Sequence, residues 1–246
     1  MPEGDLPLHG GDIIAAAKRY AIAVDQWIDL STGMNPQPYV IPELPATVFQ
    51  QLPYIEDAFL AAAKDYYGCD NFLAVAGSQA VIQQLPSLLN SGLELPILLP
   101  DLGYKEHQQH WLKHGANIQH YPALDAATMV SAIDSELEKN NRQHLLIINP
   151  NNPTGVQITT SQLLNWAQRL DADASLIVDE AFIDLSPAQS LLQGDDLPEN
   201  IVVLRSFGKF FGLAGLRLGF VFANAAHLEK LQETLGLWQI NGPAQF

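Results

Sequence analysis

Cysteine is nearly absent. Cys69 is the only one, so no internal disulfide can form, which suits a reducing compartment. Basic residues are scarce as well: 12 lysines and arginines stand against 27 aspartates and glutamates, a formal net charge of −15. A surface of that sign repels phosphate backbones and anionic lipid, so neither nucleic acid nor a membrane is an expected partner. No apolar run approaches the roughly 20 residues of a membrane span. The first residues lack a basic segment followed by an apolar stretch, so no signal peptide is read there. The expectation is a soluble cytoplasmic protein. Internal repeats and low-complexity tracts are lacking too. What the chain does have is apolar character, 48% over 246 residues, enough for a substantial core in one large domain with an appendage.

Residues 1–50 are rich in Pro and Gly around one short helix, Ile13 to Tyr20, and read as an N-terminal arm lying on something larger. From about residue 51 strands and helices alternate. Helices are expected at Ala58–Tyr67, from Gln79, at Tyr104–His114, Ala126–Lys139, Thr159–Leu170 and Ala225–Leu235. Pro86 should kink or split the second of these. Strands are expected at Phe72–Ala76, Pro96–Pro100, Asn117–Tyr121, His144–Asn149, Ser175–Val178, Ile201–Arg205 and Leu218–Ala223. The alternation implies an α/β domain with a mostly parallel sheet and helices on both faces. Ligands then sit beyond the carboxyl ends of the strands. The last residues, 236–246, read as the middle of a longer protein.

Polar residues of chemical interest follow those strands. Asn152 lies in NPNNPTG, a tight exposed turn by its Pro and Gly content, and alone reads as structural. Asp179 ends a buried strand and needs a cationic or hydrogen-bonding partner. Lys209 lies in a small-residue loop flanked by aromatics, and Arg217 precedes a strand; either alone reads as an ordinary surface charge. Together they form a set with a purpose. A pyridine-ring cofactor with a phosphate tail needs an amine for a Schiff base, a carboxylate at the ring nitrogen, a donor to the ring oxygen, and cations or backbone amides for the phosphate.

The string S-x-x-K-x-x-G-L-A-G-x-R-x-G, here Ser206 to Gly219, resembles that of fold-type I pyridoxal-phosphate (PLP) enzymes of the class I/II aminotransferase family. NPNNPTG and DEAF (179–182) resemble two further motifs of that family, in the same order. The resemblance implies the large domain of a PLP-dependent transferase over 51–246, with the smaller C-terminal domain missing after Phe246. It implies that Lys209 carries the cofactor, Asp179 meets the ring nitrogen, Asn152 bonds the ring oxygen, and Ser206 and Arg217 bind the phosphate. Ser78 and Gln79, at a strand-to-helix turn, resemble the family's phosphate cup, where helix amides face an anion. Tyr104 resembles the aromatic that stacks on the ring. One departure is Phe182, where the family often has a tyrosine that also reaches the ring oxygen. No metal is implied.

HGG (His9–Gly11), DLSTGMNP (Asp29–Pro36), GSQAVIQQLP, DEAFID and WQINGPAQF resemble the cobalamin-pathway threonine-phosphate decarboxylases and their relatives. That subgroup decarboxylates L-threonine O-3-phosphate to 1-aminopropan-2-yl phosphate. In it, the histidine matching His9 contacts the substrate phosphate, and Asn35 falls in a substrate-side loop. As plain sequence, His9 reads equally as an arm residue with a local hydrogen bond, and Asn35 as a turn residue before Pro36. Two alternatives stay open. One is an aminotransferase on histidinol phosphate, which usually carries a Tyr-Pro-Asp-Pro string where this chain has Leu52-Pro53-Tyr54. The other is a PLP-binding fragment that turns over poorly, because the C-terminal domain supplies the arginine that grips the substrate carboxylate. A homodimer is expected by analogy.

Overall fold

The computed structural model describes residues 9–90, 92, 94–194 and 197–246. In the N-terminal arm, α1 (Ile13–Tyr20) starts where the Asp12 carboxylate accepts from the Ala15 N–H, and α2 (Thr47–Gln50) is a single turn. Then α3 (Asp57–Tyr67) ends at Gly68 in the left-handed conformation and leads into β1 (Phe72–Val75), α4 (Ser78–Leu89) and β2 (Ile97–Pro100). The alternation continues with α5 (Lys105–Lys113), β3 (Ile118–Tyr121), α6 (Ala126–Lys139), β4 (His144–Ile148), α7 (Thr160–Arg169) and β5 (Leu176–Asp179). Next come β6 (Ile201–Ser206), α8 (Phe207–Phe210), β7 (Gly219–Phe222), α9 (Ala225–Leu235) and α10 (Gly242–Gln245). Side-chain caps set several starts: Asp125 accepts from the Thr128 N–H, Thr159 from Gln162, and Asn224 from His227.

The seven strands form one sheet in the order β1-β7-β6-β5-β4-β2-β3. Every pair is parallel except those made by β7, which runs antiparallel between β1 and β6. The central strands are buried on both faces, and alternate side chains feed two cores. Leu145, Ile147, Leu176, Val178, Ile201 and Val203 pack with α6, α7 and α3 residues such as Met129, Trp166 and Tyr67. Leu146, Ile148, Ile177, Val202 and Leu204 pack with α4, α5 and α9 residues such as Leu85, Trp111 and Leu231. This is the two-layered cover expected of continuous apolar strands.

Pro86 does not split its helix: α4 runs unbroken from Ser78 to Leu89. A proline inside a helix costs about 3 kcal/mol in isolation. Here it falls in the last turn, and Ile82, Leu85, Leu88 and Leu89 are all buried around it, so burial outweighs the lost hydrogen bond. Residues 236–246 contribute α10 and bury Ile240 and Ala244.

No helix among the described residues is long and apolar enough to cross a membrane. None of their His, Cys, Asp and Glu side chains form a group that could hold a metal ion.

Candidate active site

The site is assembled at the carboxyl ends of the parallel strands. At the end of β5, Asp179 is buried, and its Oδ1 accepts the Ala181 N–H at 3.1 Å. Its Oδ2 accepts from His107 Nε2 at 2.9 Å. His107 lies on α5, is 2% exposed, and its Nδ1 has no partner among the described residues. A buried carboxylate therefore finds its partner on a neighbouring helix. The sequence reading missed His107. The usable signal was its spacing: with Trp111 four residues on, it makes the buried stripe of a helix that is otherwise polar.

Lys209 occupies α8, one turn after β6. Burial lowers its amine pKa, the carboxylate of Asp179 opposes that shift, and Arg217 adds to it. Lys209 therefore shares an electrostatic neighbourhood with both residues. Its Nζ lies 5.8 Å from the centre of the Phe182 ring. The loop around Lys209 is braced by the arm. The Asn35 N–H donates to the Lys209 carbonyl at 3.0 Å, Asn35 Nδ2 to the Phe210 carbonyl at 2.9 Å, and the Tyr39 N–H to the Phe211 carbonyl at 2.8 Å. Asn35 is thus placed under the lysine as a clamp, with its Oδ1 accepting from the Gln37 N–H.

The turn between β1 and α4 carries the anion-binding features. Gly77 has φ 77°, and no side chain caps the helix that follows. A Cβ at Gly77 would stand 2.6 Å from Arg217 Nη2, so glycine is what lets the guanidinium close over the first turn of α4. Arg217 takes a left-handed φ of 55° and reaches the carbonyls of Ala214 and Ala76. Ser206 pairs with Gly219 across β6 and β7, on the same side. A guanidinium beside an uncapped helix start is the kind of arrangement that can take an anion.

Tyr104 stands at the N-cap of α5, and its hydroxyl donates to Gln79 Oε1 at 3.3 Å. Burial raises its pKa, with the Glu106 and Asp179 carboxylates adding to the effect and Arg217 opposing it. Its ring meets His107 edge-on at 6.2 Å and His9 at 6.0 Å. His9 itself is hydrogen-bonded to Glu106 at 2.7 Å. In the NPNNPTG turn two of the three asparagines are spent on structure. Asn149 ties itself to Ile158 through two hydrogen bonds, and Asn151 donates to the Leu102 carbonyl and Thr154. Asn152 remains exposed at the turn. Against Phe182, Gly33 approaches so closely that a Cβ there would lie 2.6 Å from the ring. The arm therefore fills the edge where a tyrosine hydroxyl would project.

The structure thus groups Ser78, Gln79, Tyr104, Asp179, Ser206, Lys209 and Arg217 at one end of the sheet, with Asn152 on a neighbouring turn and His9 and Asn35 reaching in from the arm. An amine with a lowered pKa, a fixed carboxylate opposite and a cationic phosphate cup fit a phosphorylated pyridine aldehyde.

The profile of the family described as aminotransferase class I and II matches residues 27–245. A threonine-phosphate decarboxylase of Pseudomonas aeruginosa is 41% identical over 238 residues, covering 96% of this chain and 68% of that protein. One of Sinorhizobium sp is 40% identical over 243 residues, covering 96% of this chain and 69% of its own length. The crystal structure of histidinol-phosphate aminotransferase from Sinorhizobium meliloti in complex with pyridoxal-5'-phosphate aligns with a TM-score of 0.69 at 17% identity, over 100% of this chain and 70% of that one. The chain therefore spans about two thirds of the length of these relatives.

Proposed function

The chain belongs to the aminotransferase class I and II family, and from that membership we propose that it is a PLP-dependent decarboxylase of L-threonine O-3-phosphate, acting in cobalamin biosynthesis. The observation that carries the reading is the 41% identity to a threonine-phosphate decarboxylase over 96% of the chain. The product is 1-aminopropan-2-yl phosphate. The protein works in the cytoplasm as a homodimer.

When bound, the cofactor supplies an aldehyde that condenses with amines and a ring that accepts electrons. The residues of this chain do the rest. Burial of Lys209 favours its neutral amine, the form that can attack an aldehyde. Asp179, held from one side by His107 and from the other by the Ala181 N–H, offers a fixed carboxylate to the ring nitrogen. Asn152 would donate to the ring oxygen, alone, because Phe182 has no hydroxyl to share the task. Ser206, Arg217 and the first amides of α4 at Ser78 and Gln79 would hold the phosphate, and Tyr104 would lie against the ring. His9 and Asn35 lie on the substrate side, on the arm. By fixing the cofactor and substrate in one orientation, these residues would supply the positioning that decarboxylation needs.

Incubation with L-threonine O-3-phosphate and PLP tests the reading. Release of carbon dioxide without a keto acid is expected. Amino transfer to 2-oxoglutarate instead would identify an aminotransferase on histidinol phosphate or a related amino acid, and binding of PLP without either product would identify a PLP-binding fragment. Lys209→Ala should abolish the absorption band that PLP gains on the protein; an unchanged spectrum rejects the scheme.

A further inference from the structure

Glu106 has no part in the chemistry above, yet the arm, α4 and its own helix each bring a donor to it. Its Oε1 accepts from His9 Nε2 of the arm at 2.7 Å. Its Oε2 accepts from Gln79 Nε2 on α4, and from His110 Nε2, one turn along α5, at 3.2 Å. The side chain is only 13% exposed, so water screens these contacts weakly. Burial pushes its carboxyl up, but the hydrogen bonds from His9, Gln79 and His110 outweigh that and hold it below the usual range.

The cluster continues into the site. With its amide nitrogen turned to Glu106, Gln79 must turn its carbonyl the other way, where it accepts the Tyr104 hydroxyl. Glu106 is also next to His107, the partner of Asp179. One carboxylate therefore connects the arm, the first turn of the phosphate cup and the ring-facing tyrosine. His9 and Gln79 meet through that carboxylate.

We propose that Glu106 is a positioning residue that couples docking of the N-terminal arm to the orientation of Gln79 and Tyr104, so that arm closure and cofactor binding favour one another. The proposal rests on the reading of this site as a PLP site. Coupling of this kind is reciprocal: PLP must tighten the arm by the factor by which the docked arm tightens PLP.

The experiment is a double-mutant cycle of His9→Ala and Glu106→Ala, read by PLP titration and by trypsin cleavage after Lys18 or Arg19 in α1. Each single change should weaken PLP binding about tenfold, and the double variant should be no weaker than either. PLP should slow cleavage in the parent and leave it unchanged in Glu106→Ala. Additive losses, or equal protection by PLP in both proteins, would overturn the proposal. If Glu106→Ala does not fold, Glu106→Gln replaces it in the cycle. Its amide keeps an acceptor for His9 but faces the Gln79 amide with a donor, so it should lose the protection by PLP while retaining most of the parent's melting temperature. A parent protein that binds no PLP at all would instead refute the cofactor reading, and the proposal with it.

Discussion

His144 opens β4 with its ring fixed in one tautomer. The Ser175 N–H donates to Nδ1 at 3.1 Å, so the ring proton sits on Nε2 and points at Asn90 Oδ1, 3.1 Å away. A second proton would have to enter on Nδ1, against that N–H. Burial, helped by the nearby His227, pulls its pKa from 6.5 down to about 4. The unfolded chain takes up this proton first, so the stability contributed by neutral His144 is full above pH 6.5 and is lost as pH falls towards 4. Over that window the loss amounts to roughly 3 kcal/mol. Urea unfolding at a series of pH values should show it, and His144→Gln should flatten the acid limb.

Another buried residue beneath the site is Arg205. It bridges Glu180 at 3.4 Å and also pairs with Asp184, while stacking over Tyr67 at 4.9 Å. Burial raises Glu180, against the hydrogen bonds of Ser190 and Leu191 and the charge of Arg205. Arg205→Leu would strand two carboxylates in the core, and urea unfolding should report a loss of about 3–5 kcal/mol.

At the scale of elements, the cup depends on a turn rather than on any one side chain. Gly77 holds a positive φ while β7 brings Arg217 against it. Gly77→Ala should cost about 1–3 kcal/mol in unfolding free energy from the backbone alone. The new methyl also displaces the guanidinium. The affinity for PLP relative to pyridoxal, which lacks the phosphate, should therefore fall about tenfold. Equal losses for both ligands would mean that Arg217 does not serve the phosphate. The short α8 depends on its surroundings in the same way, since the carbonyls of Lys209 and Phe210, and of Phe211 just after it, accept from arm residues Asn35 and Tyr39.

For the whole molecule, the arm leaves apolar side chains in water. Ile28, Leu30 and Val40 are 85%, 88% and 84% exposed, more than isolated surface residues explain. In the homodimer proposed above they would be covered by the second copy. Sedimentation should find a dimer, and Ile28→Asp with Leu30→Asp should shift it to monomer. A monomeric parent would sink the assembly.

The primary structure determined the alternation of strands and helices, because period and cap residues are local properties: α1, α6 and α9 begin and end where their patterns predict. The residues proposed for the site, Lys209, Asp179, Asn152 and Arg217, were also legible there, because they lie in motifs whose spacing survives without any fold. Tertiary structure decided what locality cannot encode. Pro86 stays helical because neighbouring elements bury its turn, and β7 inserts antiparallel between β1 and β6. His107 and Glu106 take their roles from partners 72 and 97 residues away along the chain, at Asp179 and His9. A hydrogen bond between residues so distant is set by how layers pack: the spacing of His107 and Trp111 on α5 could mark a buried face, but not which partner that face meets.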